Sequence, residues 1–214
     1  KNRPRYKTQD SSYFLTFMTT DRTLSSPNYM VWELFQALRR LCNRVSESAE
    51  QDESALRQDS ALCIILAVQC VEVFFNVYFR VLISEPNYAH AAKKIFADLA
   101  NTRYGLDRKI KDWPCDVFGK KLAFGQGAGQ RFVALKSLRH KLMHFTSSHE
   151  TITMPGIEII GLADTSAYHS LSAESARDAL DTAEAFICEV FILRGIPATD
   201  LQHALHAWTG RPPI

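Results

Sequence analysis

The sequence predicts an all-α fold in one domain of 214 residues. Three observations carry the prediction: apolar residues recur every three or four positions over most of the chain, the terminal helical segment has a cap at each end, and strand-like alternation is confined to short pieces. An apolar share of 46% and a charged share of 22% suit a chain that buries a core, which sets aside disordered and low-complexity classes. The length fits one large domain better than two.

Residues 1–28 begin with a basic tail (Lys1, Arg3, Arg5, Lys7) and hold one short strand at most, around Tyr13–Met18. After Ser26-Pro27-Asn28, the residues Val31, Leu34, Phe35, Leu38 and Leu41 predict a helix that runs out in Ser46–Ser54. A second helix is expected over Asp59–Leu82. Its polar residues Gln69, Glu72, Asn76 and Arg80 form one narrow stripe on an otherwise apolar cylinder, so it belongs at the centre of the domain. Glu85-Pro86-Asn87 ends it. Shorter helices follow at Tyr88–Leu99 and at Gly105–Lys111, the latter stopping before Trp113-Pro114.

Gly119–Gly129 reads as a flexible connector. It lacks the Gly-Lys-Ser/Thr and the preceding strand that a phosphate loop requires. A helix over Gln130–Phe145 turns Phe132, Leu135, Leu138 and Leu142 inward. Thr151–Leu162 is expected as a β-hairpin turning at Pro155-Gly156. The last long helix starts at the N-cap Ser172, has Glu174 in its first turn and ends at Gly195 and Pro197. Thr199–Trp208 is a short amphipathic piece.

Five cysteines with no C-x-x-C pair argue against a disulfide framework or a thiolate zinc site, and they fit a reducing, cytoplasmic setting. Nothing reads as a targeting peptide. The apolar run Ala61–Ile83 is long enough for a membrane span, but Gln69, Glu72, Asn76 and Arg80 would be costly in lipid, so a buried helix is expected and no membrane partner. The net charge of +2 is unevenly placed: residues 103–141 carry ten Lys/Arg against three Asp. Such a segment either attracts a polyanion or is neutralised by acidic helices in the fold.

The chemistry concentrates in Leu138-Arg139-His140-Lys141-Leu142-Met143-His144. A guanidinium grips phosphate through two parallel hydrogen bonds, and an imidazole takes and gives a proton near neutrality. Those functions suffice for RNA cleavage by attack of a ribose 2′-hydroxyl. On an ideal helix Arg139 and His144 leave the axis about 140° apart, so a bent arginine, a distorted helix end or a second subunit is needed to unite them. His140 and His144 share a face at metal-binding spacing, yet a zincin would need Glu where Lys141 stands. Alternatively, either histidine merely satisfies the helix C-terminus.

The run Arg139-His140-x-x-x-His144 resembles the R-[N/H/D]-x-x-x-H signature of HEPN domains, helical bundles found in toxin ribonucleases, antiviral effectors and noncatalytic relatives. The order of parts is similar as well: Ala67-Val68-Gln69-Cys70-Val71-Glu72-x-x-x-Asn76, then Leu106-Asp107-Arg108-Lys109 ahead of Trp113-Pro114, then the motif helix and the helix at Ser172–Gly195. The resemblance covers about residues 60–195, with the helix at about 27–58 and the hairpin as elaborations within a single domain 1–214. It implies an up-and-down bundle and a metal-independent endoribonuclease, acting as a toxin or defence effector. Arg139 and His144 would be catalytic with His140 beside them. Glu72 and Asn76 would support them, with a structural ion pair to an arginine as the equal alternative for Glu72, and Arg131, Lys136 and Lys141 would bind RNA. It further implies a homodimer with a composite cleft, an antitoxin or other regulatory protein, and no cofactor. The other implied outcome is a noncatalytic module for dimerisation or for binding a nucleotide or protein.

Overall fold

The computed structural model describes residues 17–19, 22–48, 52–144, 150–162 and 164–212. The basic tail, most of Tyr13–Met18, Phe145 and His149 lie outside the described residues. Among those described there are eight α-helices and two separate two-stranded hairpins, so the chain is mostly helical. The first hairpin, β1 (Phe17–Thr19) and β2 (Arg22–Leu24), stands where the sequence suggests one strand at most.

Helix α2 (Glu53–Leu82) is the axis of the bundle. It starts earlier than its apolar pattern does, because the Asp52 side chain caps it by accepting from the Ser54 amide at 2.8 Å. It packs most extensively against α1 (Tyr29–Ser48) and α7 (Ala173–Arg194). Phe74, Phe75 and Tyr78 of α2 meet Phe186 and Phe191 of α7 in an aromatic core that Phe79 extends to Trp113, and each such fully buried side chain contributes about 1.5–3 kcal/mol. By length and composition α2 could cross a membrane, and 56% of its most apolar window is buried inside the bundle.

The first turn of α7 is capped as expected: Ser172 accepts from the Ser175 amide, and the Ser175 hydroxyl in turn accepts from the Ser172 amide. Its far end stops at Gly195 in the left-handed conformation. A buried ionic clamp ties the segment after the last described helix to the core. Glu184 of α7 is 2% exposed and binds Arg39 of α1 and, at 3.1 Å, Arg211 after α8 (Leu201–Thr209). Burial pushes the Glu184 carboxyl above its usual pKa, and the Arg39 charge opposes that shift.

Two expectations are corrected here. Pro86–Ala91 is a 3-10 turn leading into α3 (Ala92–Ala100). Helix α4 (Leu106–Phe118) continues through Pro114, past the point where the sequence places its end. An internal proline costs about 3 kcal/mol, and tertiary anchoring outweighs it. Trp113 is fully buried and donates to Asp98 at 3.0 Å, while Tyr104 donates to Asp112 at 2.6 Å.

Helix α5 (Gly127–His144) begins inside the supposed connector. Gly129 lies where a Cβ would stand 2.0 Å from the Ala123 carbonyl oxygen, so this glycine is a packing requirement rather than a source of slack. One turn on, Phe132 stacks on Phe186 with ring centroids 4.2 Å apart, which fixes α5 against α7. Strands β3 (Glu150–Met154) and β4 (Ile157–Leu162) form the expected hairpin, with Gly156 at φ 82°. Register pairs Met154 with Ile157, and both are exposed.

Candidate functional site

Leu138 and Leu142 pack against the core and set the rotation of the last turns of α5. Arg139 is thereby carried to the flank facing α2 and the start of α4. A cleft of about 650 Å³ opens there. Val68 and Glu72 of α2 line one side, Gly105, Leu106 and Asp107 another, and Lys136, Arg139, His140 and Lys141 the third.

The cleft's two carboxylates each hold a lysine. Glu72 accepts from Lys109 at 3.2 Å, and Asp107 pairs with Lys136. Lys109 is only 7% exposed and lies over the Trp113 ring. Burial pulls the Lys136 ammonium below its usual pKa, since the Asp107 carboxylate beside it is largely in water and screened. Outside the cleft lining, hydrogen bonds from Ser166 hold the Asp164 carboxyl below its usual range, with a smaller contribution from Lys141.

Unlike Lys109 and Lys136, Arg139 has no carboxylate partner among the described residues. It is half-buried, and its Nε is fully buried without a hydrogen-bond partner among the described residues. A guanidinium left in that state is costly unless an anion completes it. The end of α4 adds to this field, because its N-cap is Gly105, which has no capping side chain. Free amides and the positive end of a 13-residue helix dipole therefore border the same cleft.

The two histidines divide. His140 lines the cleft with Arg139, whereas His144 does not. Their rings lie 4.6 Å apart, and both are exposed. Within one chain the imidazole beside Arg139 is thus that of His140. Among the described residues no third side chain joins this pair as a metal ligand.

Arg131 is exposed but stands eight residues before Arg139, about 12 Å away along the axis, and does not line the cleft. Asn76 does not join Arg139 either. It faces a second cleft, of about 910 Å³, with Arg80 and α3. No family model, curated protein or solved structure matches the chain.

Sequence reasoning assigned no role to Lys109, Asp107 or the start of α4. For Lys109 a signal exists: Leu106, Lys109, Ile110 and Trp113 share the buried face of α4, and a lysine in that row demands a carboxylate partner. The Gly105 end carries no such signal, because only the fold aims it at α5.

Proposed function

We propose that the chain is an RNA-cleaving protein of HEPN type, acting without a metal and pairing as a homodimer. The reading is supported by the Arg139 guanidinium, which has a buried, unanswered Nε in a cleft whose acids are already neutralised. A phosphodiester supplies the missing acceptor. Arg139 binds its non-bridging oxygens and stabilises the charge that develops on phosphorus. An imidazole takes the proton of the 2′-hydroxyl as the bond from O2′ to phosphorus forms. A second imidazole returns a proton to the departing 5′-oxygen as its bond to phosphorus breaks. The products carry 2′,3′-cyclic phosphate and 5′-hydroxyl ends.

His140 supplies the imidazole nearest Arg139, and His144 lies beside it outside the cleft. Two copies joined across their α5 ends would bring a second pair of histidines to each Arg139. The experiment is cleavage of a single-stranded RNA pool in EDTA by the intact chain and by Arg139→Ala, His140→Ala and His144→Ala. Loss of cyclic-phosphate ends in Arg139→Ala and in at least one histidine variant is the expected result. Undiminished cleavage in Arg139→Ala would overturn the proposal.

The placement of His144 outside the cleft favours a second reading, a module that binds RNA or a nucleotide through Arg139 without cutting it. Arg139-dependent binding with no cyclic-phosphate products would select it.

A further inference from the structure

The second cleft, between the start of α1, the latter half of α2 and α3, has no part in the chemistry above. We propose that it is a nucleobase subsite, taking an unpaired adenine of the RNA strand whose phosphate Arg139 grips; this rests on the RNA reading of the Arg139 cleft. Its walls are of two kinds. Met30 and Phe96 line it while 53% and 51% exposed, offering flat apolar surface to the face of a base. Asn76 and Arg80 stand one turn apart on α2. The Asn76 Oδ1 is shielded from solvent and has no hydrogen-bond partner among the described residues, so a side-chain rotation that turns the amide into the cleft would gain it a partner.

A carboxamide offers a donor and an acceptor side by side, whichever way it is turned. The N6 and N7 edge of adenine is the matching pair. Arg80 is exposed and has no hydrogen bond or ion pair among the described residues, which leaves it for the adjoining phosphate. A cleft of about 910 Å³ is ample for a nucleotide.

The two clefts are separate but border the same two elements. Glu72 lines the first, and Asn76 and Arg80 line the second, about 6 and 12 Å further along the same helix. The link from α3 to α4 borders both, with Ala100 at the second cleft and Gly105 at the first. A short length of single strand can therefore occupy both at once.

Calorimetric titration of the full chain with hexa-adenylate, hexa-uridylate and AMP tests the subsite directly, without recourse to cleavage. Asn76→Leu and Phe96→Ala, each confirmed folded by thermal melting, should weaken hexa-adenylate binding about tenfold and leave hexa-uridylate less affected. Arg139→Ala should weaken both oligomers alike. Saturable AMP binding that Asn76→Leu abolishes and Arg139→Ala retains would show that a free mononucleotide suffices; hexa-adenylate binding alone assigns the subsite to a strand. Unchanged affinities in Asn76→Leu and Phe96→Ala, or no binding of any of the three by the unaltered chain, would overturn the proposal. Loss in those two variants with no effect of Arg139→Ala would keep the subsite and overturn the nuclease reading instead.

Discussion

The Lys109 ammonium stands 3.2 Å from the Glu72 carboxylate, and this pairing sets the charge that Arg139 meets. With Lys109 in place Glu72 is neutralised, and Arg139 keeps its guanidinium for an external anion. Lys109→Met should therefore do two things. It should destabilise the fold by about 2 kcal/mol, less than for a fully buried pair because Glu72 is partly exposed. It should also weaken RNA binding, because the released carboxylate competes for Arg139. Adding Glu72→Gln should recover both losses. Urea unfolding and fluorescence anisotropy with a single-stranded RNA measure them, and wild-type RNA affinity in Lys109→Met would refute the charge argument.

Asp107 acts at the cleft mouth in the opposite sense, since it occupies Lys136. Asp107→Asn frees that ammonium and removes one negative charge from the approach. RNA affinity should rise, and the slope of log affinity against log salt should steepen by about 0.7, the equivalent of one more phosphate contact on a single strand. A slope unchanged between 50 and 200 mM salt, values on the order of those used for such titrations, would show that Lys136 does not reach RNA.

The close approach of Gly129 to Ala123 yields a stability prediction with an internal control. Gly129→Ala places a methyl group against a backbone carbonyl that cannot give way and should cost about 2 kcal/mol or more. Gly125→Ala, four residues earlier and facing open space, should be nearly neutral. Since α5 carries Arg139, the first variant should lose RNA affinity as well as thermal stability. Equal melting temperatures for the two would contradict the packing described.

Alkaline pH should unfold the protein from its core. Burial raises the Cys70 thiol from 9.0 to about 12 and, against the opposing Arg194, the Tyr78 phenol from 10.0 to about 12. Both folded values lie above the unfolded ones, so the unfolded chain releases protons that the folded chain retains. Stability is thus intact below about pH 9 and falls as pH rises toward 12, by roughly 1.4 kcal/mol per unit for each group once it titrates in the unfolded chain. Urea midpoints measured across that range provide the check. Cys70→Ala should show a shallower decline, and an identical slope would exclude the thiol as a contributor.

Helix periodicity and caps were legible for α7 and the hairpin, but the local Asp52 cap that starts α2 was missed because no apolar pattern follows it directly. Ser172 and Gly195 bound α7 as their residue types demand, and Gly156 turns the hairpin. The course of α4 through Pro114 was not legible, because the Trp113 to Asp98 bond that stabilises it joins residues on two helices. At the candidate site, Arg139, His140, Lys136, Lys141 and Glu72 do meet in one cleft. Asn76 does not, although it shares the polar stripe of α2 with Glu72. Helical spacing gives a common face, and only the packing of α3 and α4 beside that face divides it into two cavities.

Because one unbroken helix borders both cavities, α2 is a ruler as well as a scaffold. An α-helix bends but hardly stretches, so the offset between the Glu72 and Asn76 positions holds at about 6 Å. On the proposed RNA-cleaving reading, a strand seated in both cavities would be cut at a set number of nucleotides from its anchored base. Inserting one residue between Glu72 and Asn76 would swing one position about 100° relative to the other and abolish that phasing, even if each cavity kept its own lining.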